Sequence, residues 1–119
     1  MKRPIRLFML ATAAAFLFLT GCRHKFKSKP LSQLTPRQMQ GHAIFQSHCA
    51  VCHYPNSEQR LVGPGLLGLF QKPYLPSGAP ATDARVHFTI VRGKDVMPPF
   101  GNILDNRQID DLLAYLHTL

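Results

Sequence analysis

Apolar and polar residues recur along this chain at the helical period in three places and fall out of period between them. Gly41, Ile44, Phe45 and His48 stand at i, i+3, i+4 and i+7, one face of a helix. Thr35 offers an N-cap hydroxyl, and Pro36 takes the first helical position, where its missing N–H costs nothing. The first helix is therefore expected from Pro36 to about His48. A second stripe, Ile109, Leu112, Leu113 and Leu116, runs near the C-terminus. There Asp105 with Gln108 three residues on reads as a capping box, and Asp110 and Asp111 sit in the first turn, where the helix dipole favours negative charge. A third helix, roughly Asp83 to Arg92 with Val86, Ile90 and Val91, should end at Gly93. The pattern predicts an all-α fold.

Gly41 stands out within the first helix, since an interior glycine costs about 1 kcal/mol relative to alanine. It points to a second backbone passing close by. The last helix crossing the first at this gap, with Phe45 and Tyr115 packed around it, is the simplest arrangement. Residues 54–81 hold five prolines and four glycines, and only Gly65 to Phe70 looks like a short helix. So long an irregular stretch in a compact domain needs something to pack against.

The longest apolar run lies outside these elements. Leu7 to Leu19, broken only by Thr12, follows the basic residues Lys2, Arg3 and Arg6. Those thirteen residues would span about 20 Å as a helix, short of the roughly 30 Å hydrocarbon core. The run reads as a signal peptide over residues 1–21. Leu19-Thr20-Gly21-Cys22 resembles the lipobox of bacterial lipoproteins, in which the cysteine is lipidated and becomes the mature N-terminus. Several acyl chains on Cys22 would give stable membrane attachment without a span.

Charge sharpens this division. The formal net charge is +8, but residues 1–21 carry three of the basic groups and Arg23, Lys25, Lys27 and Lys29 four more, without an acid among them. Residues 22–34 therefore read as a lipidated basic tether, able to lie on anionic headgroups or equally to serve as a solvated linker, and residues 35–119 as one nearly neutral domain. Nucleic acid is not an expected partner.

The candidate chemistry sits at the end of the first predicted helix, in Cys49-Ala50-Val51-Cys52-His53. Cys-x-x-Cys-His is the attachment pattern of c-type haem, in which two thiols bond to the ring and the next imidazole ligates the iron. Thiols three apart lie on one side of a helical turn and reach neighbouring ring substituents. Three other uses of these residues compete. Structural zinc needs four ligands, normally as pairs across a longer spacer. A redox dithiol needs the motif at a helix N-terminus, where the dipole favours thiolate. Two buried thiols beside a surface histidine would do nothing. An apolar haem ring would also supply what residues 54–81 lack, with Leu66, Leu69 and Phe70 wrapping its edge. Since Cys22 is assigned to lipid and Cys49 and Cys52 to haem, no pair remains for a structural disulfide.

Met97 is the candidate for the opposite face of the iron, because it precedes Pro98-Pro99, which bias it toward a stiff extended loop, and His/Met ligation is a standard arrangement for c-type haem. Met39 lies on the wrong side of the first helix to compete. Taken together, Gly41 and Phe45, Cys49 to His53, Gly63-Pro64 and Leu66, Gly93, Met97 to Phe100, and Leu112 and Tyr115 resemble the class I monohaem cytochrome c family in order and spacing. The resemblance covers nearly all of residues 36–119. It implies a small cytochrome c fold with N- and C-terminal helices crossing around one covalently attached haem c. It implies too that the carbonyl of Pro64 accepts a hydrogen bond from His53.

No clear match appears to the polar residues that often hold the haem propionates; Arg60, Lys72, Arg85 and Lys94 are candidates. The remaining histidines, His24, His42, His48, His87 and His117, read as surface residues, any of which could challenge Met97 as a ligand. The expected function is electron transfer, not enzyme catalysis, by a monomer lipid-anchored to a bacterial membrane and facing the periplasm. Membrane redox complexes or other electron-transfer proteins would be its partners. A haem sensor or peroxidatic protein with a displaceable sixth ligand, or a fixed cytochrome subunit of a larger oxidoreductase, remain as alternatives.

Overall fold

The computed structural model describes residues 25–119; the expected signal peptide, Cys22 and His24 lie outside them. A short 3₁₀ turn, Leu31–Gln33, precedes three α-helices: α1 (Pro36–His48), α2 (Asp83–Arg92) and α3 (Asn106–Leu116). The described residues form no strand, only isolated bridges at Tyr74 with Pro80 and Lys94 with Met97. None of their helices is long and apolar enough to cross a membrane.

Each helix begins where its cap dictates. Asp105 accepts the Gln108 N–H at 2.8 Å while the Gln108 side chain accepts the Asp105 N–H at 2.9 Å, closing the expected box. Thr35 and Gln38 form a second such box ahead of α1, at 3.3 and 3.0 Å. Thr82 caps α2 through the Arg85 N–H, and Gly93 ends it at φ 71°, a left-handed conformation that suits glycine.

Helices α1 and α3 cross at Gly41. A β-carbon there would collide with the Asp111 carbonyl and lie 2.8 Å from Tyr115 Cβ, so the absent side chain is what admits the second backbone. The Phe45 and Tyr115 rings pack at 5.5 Å beside the crossing, with His42 edge-on to Tyr115 at 5.1 Å. Phe45, Ile109 and Leu112 are fully enclosed, and Leu113, Tyr115 and Leu116 of α3 and Val86 and Ile90 of α2, with Leu69, Phe100, Leu104 and Leu119, join them in the core. Arg37 pairs with Asp111 at 3.1 Å across the rim of the crossing, an exposed contact worth little.

Two expectations need correction. Residues 65–70 are a run of turns, not a helix: Leu69 donates to Leu66 at 3.0 Å and Gln71 to Gly68 at 3.0 Å, and Gly68 at φ 71° turns the chain out of the helical path. Leu69 consequently enters the core, while Leu66 and Phe70 stay at its margin. Asp110 and Asp111 lie in the second turn of α3, whose first turn holds no acid, so they do not offset its dipole. The described histidines lie at the surface or its margin, as expected, and two of them are engaged there. His48 lies edge-on to Phe100 at 6.1 Å, and His117 stacks on Phe70 at 3.8 Å while bonding Asp83 at 2.6 Å. That last contact links the end of α3 to the start of α2.

The described part of the basic segment lies against the domain. Phe26 covers Gly68, the Lys29 N–H donates to the Thr118 carbonyl at 2.7 Å, and Lys72 Nζ stands 5.1 Å from the Phe26 ring centroid.

Candidate haem site

The end of α1 builds the site through two doubly used carbonyls. The N–H groups of Cys49 and Ala50 both donate to Phe45, at 2.8 and 2.9 Å, and those of Cys52 and His53 both donate to Cys49, at 3.0 and 2.9 Å. The helix thus closes on itself and continues as a tight turn, which puts both cysteines and His53 within two consecutive turns.

A second segment clamps this turn. The Gly63 N–H donates to Cys52 at 2.8 Å and the Leu66 N–H to Tyr54 at 2.9 Å, so residues 63–66 run alongside the motif. Between these two bonds the His53 Nδ1 lies 2.8 Å from the Pro64 carbonyl. A carbonyl can only accept, so Nδ1 carries the proton and Nε2 keeps its lone pair. The imidazole is thereby held in the tautomer a metal requires. Gly63 has a role its sequence context did not disclose: a β-carbon there would fall on the His53 ring, 2.8 Å from both Nδ1 and Nε2. The only signal available was its place beside Pro64. Replacing Gly63 by Ala should displace the imidazole from its place against the Pro64 carbonyl; imidazole-ring NMR shifts of the reduced protein against wild type would show it.

Met97 sits on a separate locked turn. The Lys94 N–H donates to Met97 at 3.0 Å and the Met97 N–H to Lys94 at 2.8 Å, with Asp95 at φ 52°, a left-handed conformation aspartate tolerates. Beyond the turn, the Phe100 N–H donates to Ile90 at 2.9 Å, tying it to the end of α2. Gly93 is packed so tightly under Pro98 and Pro99 that its β-carbon would come within 2.9 Å of each. The Met97 side chain is half-buried against the same core cluster that Cys49, Ala50 and Leu66 border.

These residues fit haem c better than the competing chemistries. Cys49 and Cys52 are unbonded. Burial, aided by Cys52, pushes the Cys49 thiol up to about 11, the reverse of what a thiolate nucleophile needs, and the motif ends a helix instead of beginning one. Among the described residues no three His, Cys, Asp or Glu side chains converge on one ion position, as zinc would require. Thiols that grip a ring's edge while the imidazole reaches its centre need not converge. Ala50, Leu66, Phe70, Leu75, Val91 and Met97 are half-buried apolar side chains at the margin of the core, surface of the kind on which a flat apolar group can pack. Of the propionate candidates, Lys72 already pairs with Glu58 at 2.6 Å and Lys94 with Asp95 at 3.6 Å, while Arg60 and Arg85 are exposed.

Comparison with known proteins bears on the same residues. The family described as "Cytochrome C oxidase, cbb3-type, subunit III" matches residues 36–116. Cytochrome c6 of Limnospira maxima is 29% identical over 76 residues, 64% of this chain and 85% of that protein. The crystal structure of cytochrome c6 from the diatom Phaeodactylum tricornutum superposes with a TM-score of 0.51 at 31% identity, covering 66% of this chain and 88% of that one. With the motif and the crossed helices already in place, these matches mean that the chain belongs to the class I monohaem cytochrome c family, carries covalently bound haem c and transfers electrons.

Proposed function

We propose that this protein is a membrane-tethered electron carrier whose iron is held between His53 and Met97. The observation that carries the ligand assignment is the 2.8 Å bond from His53 Nδ1–H to the Pro64 carbonyl, which leaves Nε2 as the free donor and raises its basicity. Cys49 and Cys52 anchor the group covalently, and Met97 offers a thioether from a turn fixed at both ends. Haem c supplies a one-electron couple at its iron. His53 and Met97 would hold the iron, and the apolar side chains beside them would favour its less charged ferrous state and so raise the potential. With no open position for a substrate, electrons pass to partners during brief encounters, whose identity is a membrane redox complex or another electron-transfer protein.

The lipid anchor at Cys22 confines those encounters to the periplasmic face of a bacterial membrane and raises the effective concentration near membrane partners. Replacing Cys22 by Ser should move the mature protein from the membrane fraction to the soluble one while its visible spectrum stays unchanged. A C22S protein that stays with membranes would sink the lipid assignment.

Optical spectra of the haem-matured protein test the ligand set. A c-type spectrum with the long-wavelength Met-to-iron band, unmoved by carbon monoxide, is expected. A spectrum that shifts with carbon monoxide would instead favour a displaceable sixth ligand and a sensing or peroxidatic role.

A further inference from the structure

We infer that residues 25–34 are a docked strap that lays one face of the domain on an anionic phospholipid surface, instead of a loose leash. That face is the strap itself, lying over the turns at residues 68–72 and the buried C-terminal Thr118 and Leu119. The inference rests on the proposed lipidation of Cys22 and adds to it an orientation.

Three observations meet here. The strap is fastened at two points in its first half: Phe26 lies on Gly68, whose β-carbon would touch the ring atoms at 2.5 to 2.9 Å, and the Lys29 N–H bonds the Thr118 carbonyl at 2.7 Å. Lys72, beside the Phe26 ring and paired with Glu58, closes over it. Next, exposure alternates along the strap as in any extended chain. Phe26 and Ser28 are half-buried toward the domain, and Lys25, Lys27 and Lys29 are exposed. The outward side therefore carries the Lys25 and Lys27 ammonium groups, with Lys29 Nζ turned to the Gln38 side chain at 3.4 Å, and no acid stands anywhere in residues 22–34. Finally, the chain between the acyl-bearing residue and the first fastened one is short. Cys22 and Phe26 are four residues apart, which allows at most about 14 Å of extended chain.

A domain fastened that near its lipid anchor has few ways to face the bilayer. The lysine row lies within reach of the headgroup potential, which decays over a Debye length of about 8 Å at physiological salt. Anionic headgroups are the occupant this surface fits, because the anchor delivers it to a membrane and its exposed side is uniformly cationic. A tumbling tether would present every face of the haem domain to partners in turn. A strapped domain presents only those that do not rest on lipid.

The test uses the acylated, haem-matured protein in nanodiscs of phosphatidylcholine and phosphatidylglycerol containing a nitroxide-headgroup lipid, read as loss of amide NMR intensity residue by residue. Loss concentrated at residues 25–31, 68–72 and 117–119 is expected, and it should weaken in phosphatidylcholine alone. Ten Gly/Ser residues inserted between His24 and Lys25 leave every strap contact intact but add roughly 18 Å of root-mean-square reach. They should spread the loss over all faces. Uniform loss in the unmodified chain, or a pattern the insertion leaves unchanged, overturns the strap. A mature chain whose mass shows no acyl group overturns the tether and the strap together.

Discussion

Met97→Ala should abolish the long-wavelength Met-to-iron band, open the iron to carbon monoxide, and lower the reduction potential by on the order of 0.1–0.3 V, a fraction of the roughly 0.8 V that axial ligands span. The turn that presents Met97 is made by backbone atoms, the paired bonds between Lys94 and Met97 and the bond from Phe100 to Ile90. Removing the side chain should therefore leave the turn in place and delete only the thioether. Packing is the competing explanation, since Met97 borders the core. Met97→Leu separates the two, because it keeps the volume at a cost below about 1.5 kcal/mol but offers no sulfur. Both variants should bind carbon monoxide, and only the alanine should also melt markedly earlier. Spectra and potentiometry decide it. If neither variant binds carbon monoxide, another side chain holds the sixth position and the His53/Met97 assignment fails.

The parts of this structure legible in the sequence are those with local causes. Asp105 and Gln108 announce their own hydrogen bonds, Gly93 stops α2 by its conformation, and an interior glycine at position 41 implied a close crossing that the Asp111 carbonyl fulfils. His53 and Pro64 met as the family resemblance implied. What stayed hidden depends on neighbours distant in sequence. Gly65 to Phe70 has helical spacing, yet Gly68 is committed to a left-handed turn beneath Phe26, a residue forty-two positions earlier. His117 looks like any surface histidine until Phe70 and Asp83 are brought to it. The basic segment's composition fits a solvated tether; its alternation of inward and outward residues acquires meaning only once there is a surface to lie on.

The crossing at Gly41 should be the position least tolerant of added volume. Gly41→Ala gains about 1 kcal/mol of helix propensity, but its β-carbon meets the Asp111 carbonyl oxygen and carbon and, at 2.8 Å, Tyr115 Cβ. None of these atoms can swing aside, because they are backbone or the root of a buried side chain. Overpacking of about 1–3 kcal/mol, occasionally more, therefore outweighs the propensity gain, and Gly41→Val, larger and β-branched, should cost about 3 kcal/mol or more. For a domain of this size that lowers the melting temperature by roughly 10–25 °C, read by far-ultraviolet circular dichroism of the haem-matured proteins. The damage should reach the site as well. Cys49 and Ala50 hang from the Phe45 carbonyl one turn beyond the crossing, whereas Met97 is fastened to α2 through Phe100 and Ile90. Prising α1 from α3 shifts the support of the haem-attachment turn, and with it the proposed ligand His53, relative to that of the proposed ligand Met97. The Met-to-iron band should accordingly fade below the temperature at which the helices melt, more so in the valine variant than in the alanine one. A G41V protein that melts with the wild type would mean that the two helices are not held at this contact, and that the site's geometry is set by the haem attachment alone.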